Sequence, residues 1–225
     1  MTTRALLFDL DNTLIDFMKF KRECINSALD AMISCGLKVN KEKARKIIFD
    51  IYEKYGMEEQ KIFQKFLKKV NGKIDYRMMS CGILAYKKTK ESYMTPYSGT
   101  LEVLKKLKKK YKLAIISDAP GVNAWSRLLA MKIDKFFNVI LTKSDVKSQK
   151  PSSRIFNVAL RKLKVNPEEA VMVGDRIDRD IKGAKALGIK TVFARYGNPK
   201  VKKGKSGADW EIGDIKELMK VVKGK

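Results

Sequence analysis

Four short apolar runs constrain this chain more than any other feature: Ala5 to Phe8, Leu113 to Ile116, Ala170 to Val173 and Thr191 to Ala194. A fifth, Asn138 to Leu141, lies between the second and third. Continuous apolar runs of this length read as strands buried on both faces, as in parallel sheets. Helical patterns separate them. Leu101, Leu104 and Leu107 recur within Thr100 to Tyr111. Ser153 to Leu163 follows Lys150-Pro151, with Pro151 set for a helix start. Asp178 to Leu187 ends before Gly188, a good C-terminal stop. Strands alternating with helices predict an α/β fold built on a doubly wound, mostly parallel sheet.

One stretch breaks the alternation. From about Phe17 to Tyr93 no strand pattern is found, and helical periodicity takes over in four segments punctuated near Gly36, Gly56 and Asn71-Gly72. Asn40 is an N-cap candidate for Lys41 to Tyr55. The expected organisation is therefore residues 1–15 as the start of a core, 16–95 as an inserted helical domain and 96–225 as the rest of the core. A length of 225 residues with 44% hydrophobic residues can support such a core and insert.

Composition removes several chemistries. There is no histidine, so histidine triads and histidine metal ligands are excluded. Cys24, Cys35 and Cys81 are odd in number and widely spaced, which fits neither a disulfide framework nor a zinc site. Reduced, mostly buried thiols are expected, as in the cytosol. No apolar run is long enough to cross a bilayer, and the apolar stretch ended by Asp9 is too short for a signal peptide. A cytoplasmic protein is expected. The net charge of +24 favours anionic partners, but the lysines are spread over many helices. A solvated, lysine-rich surface of the heat-adapted kind is the simpler reading, and like charge favours a monomer.

In open α/β sheets, ligands bind beyond the carboxyl ends of the strands. Asp9, Asp11 and Thr13 follow the first run. Ser117 and Asp118 follow the second. Asp175 follows the third, with Asp178 and Asp180 close behind, and Lys150 lies between the second and third. Clustered carboxylates need cations to stay ionised, and an oxygen-only donor set suits Mg²⁺.

These residues carry a resemblance. Asp9-Leu10-Asp11-Asn12-Thr13 resembles the DxDxT signature of the haloacid dehalogenase superfamily. Ser117 resembles its second motif and Lys150-Pro151 its third. Gly174-Asp175 through Asp180 resembles the fourth, of the form GDxxxxD. The insert after the first motif resembles the family's helical C1 cap. The resemblance implies a phosphatase acting on a small phosphorylated metabolite through an aspartyl-phosphate. It makes Asp9 the nucleophile and Asp11 the general acid and base. It gives Mg²⁺ to the Asp9 side chain, the Asp11 carbonyl and Asp175, with Asp180 supporting the metal's water or holding Lys150. Ser117 and Lys150 would hold the transferring phosphoryl group, joined by Thr13 and amides near Leu10, Asp118 and Ala119, with Asp118 also a substrate contact.

Bland readings stand beside these. An acid at a strand end is often only a turn or cap residue. Asp178 lies off the motif register and is not placed in the ligand set. Trp125 and Arg127 read as packing and surface residues, and the aromatics Phe17, Phe20, Tyr52, Phe63, Phe66, Tyr76 and Tyr86 mostly as helical core. Three other functions stay open: a 2-haloacid dehalogenase, whose relatives usually lack the second acid; a sugar phosphomutase, which shares all four motifs; and a basic nucleic-acid-binding module, supported only by charge.

Overall fold

The computed structural model describes residues 2–222. They form two compact units. One runs as far as Phe17 and resumes at Thr95; the other is Met18–Met94.

The chain opens with strand β1 (Ala5–Phe8) and four helices follow: α1 (Phe17–Ser34), α2 (Lys41–Tyr55), α3 (Ile62–Asn71) and α4 (Tyr76–Tyr93). Then come α5 (Thr100–Lys108), β2 (Lys112–Ser117), α6 (Gly121–Ala130), β3 (Val139–Thr142), the short α7 (Lys143–Val146) and α8 (Ser153–Leu163). The last elements are β4 (Ala170–Gly174), a π-helical turn (Ile177–Ile181) leading into α9 (Lys182–Lys185), β5 (Lys190–Ala194), β6 (Trp210–Ile212) and α10 (Leu218–Val221). The expected doubly wound architecture is present.

All six strands join one sheet in the order β3-β2-β1-β4-β5-β6, and every pairing is parallel. β1 is flanked by β2 and β4, with Phe8 opposite Ile115 on one side and Val173 on the other. Its four residues are completely buried, which is why the run is apolar without alternation. Ala5 and Leu7 face a core shared with Ile116, Met172 and the α8 residues Ile155, Phe156 and Ala159. Phe8, on the opposite face, meets Phe137 edge to face with centroids 6.2 Å apart.

Several local expectations are corrected. Pro151 does not begin α8. Ser152 caps that helix and the first helical residue is Ser153, so the proline stands outside the first turn. α5 stops at Lys108 rather than running to Tyr111. Strand β6 has no counterpart in the sequence reading, because Trp210-Glu211-Ile212 is three residues long and contains an acid.

The Met18–Met94 unit is wholly helical in its regular structure. Asn40 caps α2 by accepting from the Lys43 N–H at 3.0 Å. The buried faces of α2 (Ala44, Ile48, Ile51, Tyr52) and α3 (Ile62, Phe63, Phe66, Leu67) follow the helical repeat. Phe17, Phe20, Tyr52, Phe63 and Phe66 are buried as expected, whereas Tyr76 is exposed.

The cysteines differ from expectation. Cys35, just beyond α1, and Cys81, within α4, form a disulfide with Cα atoms 6.8 Å apart. Their separation of 46 residues carries no pairing signal in a sequence with an odd cysteine count. The two positions meet where α4 passes the C-terminal end of α1, with Gly82 against Met32. Gly82 allows it, since a Cβ there would lie 2.1 Å from the Met32 side chain. Cys24 is free and buried, and burial pushes its thiol up to about 12, well away from a nucleophile's range.

Candidate active site

The site is built at the carboxyl ends of β1, β2 and β4, the three central neighbours of the sheet. Asp9 leaves β1 with its N–H still donating to the Val173 carbonyl at 2.9 Å. The chain then turns sharply. The N–H of Leu14 donates to the Leu10 carbonyl at 2.9 Å, and Asn12 adopts a left-handed conformation with φ of 57°. Asparagine is among the residues that tolerate that region best.

Lys150 is the hub. Its ammonium group donates to the Asp9 carboxylate and, at 2.9 Å, to the Ile116 carbonyl at the end of β2. It also pairs with Asp180 at 2.8 Å. The lysine is only 2% exposed. Burial alone would lower its pKa, but Asp180, Asp9 and Asp118 outweigh that and hold the ammonium above the ordinary lysine value. The backbone N–H of Lys150 donates to Asp118 at 2.8 Å. The other Asp118 oxygen pairs with Arg179 at 3.1 Å. Asp118 thus braces the segment that delivers Lys150.

Asp9, Asp175 and Asp180 come together, each offering a carboxylate oxygen within 4.8 Å of the others, and all three are buried. Burial raises Asp9 well above the usual carboxylate range. Lys150 opposes this, and Asp180, Asp175 and Asp11 add to it. Asp175 is pushed up to about 7 by burial and by Asp180, against the pull of Lys150 and Arg176. The cluster is therefore short of positive charge with Lys150 alone. A hard divalent cation fits that deficit and the all-oxygen donor set. Asp180 also accepts from the Arg176 N–H at 3.0 Å. Asp178 points elsewhere, exposed and paired with Arg176.

The remaining residues take defined places. Ser117 is buried, and its hydroxyl accepts from the Ala119 N–H at 3.2 Å, so that amide is already engaged. Thr13 is fully buried, and its carbonyl accepts from the Tyr196 hydroxyl at 2.8 Å. Asp11 diverges from the acidic cluster: its side chain pairs with Arg127 of α6 at 2.9 Å.

Two features were missed by the sequence reading. Arg127 is not a surface residue; it is buried and ion-paired with Asp11. Its signal was faint, because one arginine in an amphipathic helix looks like any other. The second is the segment after β5. Asn198 donates to the Asp175 carbonyl at 3.2 Å. Gly197 lies so near the Asn12 carbonyl that a Cβ would come within 1.8 Å of its oxygen. A glycine beyond the last predicted strand was the available clue.

A doubly wound core places its ligand site beyond the carboxyl ends of its strands, where these carboxylates gather, and comparison with known proteins makes the class specific. The model of the haloacid dehalogenase-like hydrolase family matches residues 6–194, and the chain belongs to that family. Within it, the chain is a phosphoric monoester hydrolase. It is 34% identical to a glyceraldehyde 3-phosphate phosphatase of Methanocaldococcus jannaschii over 98% of this chain and 97% of that one. It is 32% identical to the Pyrococcus furiosus protein of the same name, over 97% and 92%. The solved structure of a phosphatase of this superfamily from Thermococcus onnurineus superposes with a TM-score of 0.72 at 27% identity, over 99% of both chains.

Proposed function

We propose that Asp9 is the nucleophile of a Mg²⁺-dependent phosphatase and that its substrate is a small phosphorylated metabolite, with glyceraldehyde 3-phosphate the first candidate. The observation that carries this reading is the buried cluster of Asp9, Asp175 and Asp180 around one lysine at the strand ends. The names of the full-length relatives support the substrate class.

In the first step an Asp9 oxygen bonds to phosphorus as the ester P–O bond breaks. The Asp11 carboxyl gives its proton to the departing alcohol oxygen. In the second, the Asp11 carboxylate takes a proton from water as that water attacks the aspartyl-phosphate, releasing inorganic phosphate and restoring Asp9. Lys150, held by Asp9 and Asp180, offsets phosphoryl charge, and Ser117 and Thr13 lie on the same rim to bind phosphoryl oxygens. Asp118 is a substrate contact in this reading as well as a brace. Asp9, Asp175 and the Asp11 carbonyl would hold Mg²⁺, with Asp180 behind them. When bound, the metal supplies positive charge that keeps the carboxylates ionised and draws in a phosphate oxygen.

The helical segment 16–95 serves as the cap in this reading, supported by its insertion between the first two site segments of the chain. A cytoplasmic monomer is also part of it. No helix of the described residues is long and apolar enough to cross a membrane. A lysine-rich surface and an intracellular disulfide are both met in heat-adapted proteins.

The test is phosphate release from p-nitrophenyl phosphate and glyceraldehyde 3-phosphate, with Mg²⁺ and with EDTA, for wild type and Asp9→Asn. Turnover that needs Mg²⁺ and disappears in Asp9→Asn is expected. Chloride release from 2-chloropropionate without a metal requirement would overturn the reading in favour of a dehalogenase.

A further inference from the structure

Two aspartates that stand two residues apart in the first motif have different cationic partners. Asp9 is held by Lys150. Asp11 is held by Arg127, with Nη1 at 2.9 Å from Oδ2. Arg127 reaches this position from the middle of α6, 116 residues further along the chain. Its side chain is 5% exposed, and that of Asp11 24%. The guanidinium carbon lies 4.5 Å from the centroid of the Phe17 ring, the first residue of α1. The arginine is thus restrained on one side by an aromatic face and on another by the carboxylate it binds.

A desolvated guanidinium is costly unless a charge partner is fixed beside it. Its planar, permanently charged fork also defines the direction of that partner better than a lysine would. A surface role explains neither the burial nor the stacking. We propose that Arg127 is a positioning residue: it fixes the direction of the Asp11 carboxyl group toward the oxygen that leaves, and Phe17 keeps the arginine in place. This rests on the reading of Asp11 as the group that protonates the leaving alcohol. Arg127 does not touch the substrate in this scheme; it acts through Asp11.

The leaving group separates this role from a merely structural one. An alkoxide needs a proton as it departs, whereas p-nitrophenolate leaves without one. The quantity kcat/KM reports the steps up to the first irreversible one, which here is transfer of the phosphoryl group to Asp9. We expect Arg127→Ala to lower kcat/KM for glycerol 2-phosphate about 10-fold to 100-fold and to leave that for p-nitrophenyl phosphate within about fivefold. Asp11→Asn should show the same selectivity more strongly. The double variant should be no worse on the alkyl ester than Asp11→Asn alone, since both changes remove one function. Arg127→Lys, which keeps the buried charge and so guards against misfolding, should recover part of the alkyl-ester activity.

Equal losses on both esters in Arg127→Ala and Arg127→Lys, beside a selective loss in Asp11→Asn, would overturn the proposal and leave the Asp11 reading standing. An unselective Asp11→Asn would remove both. A wild type inert toward every phosphate ester would instead strike the proposed function itself.

Discussion

The carboxylate of Asp180 lies against the α-carbon of Gly174, so closely that a Cβ on Gly174 would come within 2.3 Å of it. Only glycine lets Asp180 fold back under the end of β4 and reach Lys150. Gly174→Ala is expected to push Asp180 off the lysine, lowering stability by about 1–3 kcal/mol and phosphatase turnover about 10-fold or more. Thermal unfolding and phosphate release read the two effects. An alanine variant with unchanged turnover would remove Asp180 from the working site.

Lys150 is the counter-charge of a buried acidic cluster. Removing it strands those carboxylates. Lys150→Met should cost about 3–5 kcal/mol of stability in EDTA and abolish turnover. Mg²⁺ should return part of the stability but not the activity. Urea denaturation with and without Mg²⁺ checks this, and equal midpoints in the two conditions would count against a cation in the cluster.

The raised carboxylates set a pH dependence. Burial pushes Asp175 up to about 7 from an ordinary value of 3.8, and Asp9 is raised as well. Between those values the folded state holds more protons than the unfolded one, so metal-free stability falls as pH rises from about 4 to 7. Carboxylates held low, such as Asp178 and Asp209, act below their ordinary value and outside this window. Metal binding needs the ionised forms, so stabilisation by Mg²⁺ should be larger at pH 7.5 than at pH 5. Melting temperatures in EDTA that rise across this interval would contradict the cluster's electrostatics.

Most of the sheet was legible because burial on both faces writes strands as apolar runs. β1, β2, β4 and β5 coincide with such runs to within a residue or two. β6 was not, because three edge residues with a central glutamate carry no periodicity. The acids of the site were legible for a related reason, since a carboxylate after a fully apolar strand is costly unless it has work to do. Arg127, Asn198 and the cysteine pair were not. Each depends on two distant segments meeting, and neither segment's local pattern records its partner. Asp118 shows the same limit in another form: its position was found, but not its bonds to the Lys150 N–H and Arg179.

The Cys35–Cys81 bridge links residues 46 apart within the helical unit. A cross-link of that span restricts the unfolded chain by about 4 kcal/mol in the loop-entropy view, with less often realised. Reduction, or a Cys35→Ala/Cys81→Ala double variant, should lower the melting temperature while leaving the turnover of folded enzyme largely intact. Calorimetry with and without dithiothreitol, paired with a free-thiol count, measures it. A count of three thiols in the protein as purified from oxidising buffer would mean that the bridge does not form.

The sheet order also bears on how the chain is made. β1 is one of the two innermost strands and leads directly into Asp9, yet its first neighbour pairs from Lys112 and its second from Ala170. As the polypeptide emerges, the segment bearing Asp9 has nothing to pair with until the whole of the Met18–Met94 unit has been synthesised. That unit has a buried cluster drawn entirely from its own residues, whereas β1 has its sheet neighbours only in later segments. A nascent chain halted before β2 therefore carries β1 as an apolar strand without either of its sheet neighbours. Release of the C-terminal half, rather than of the helices, is what protects β1 from aggregation.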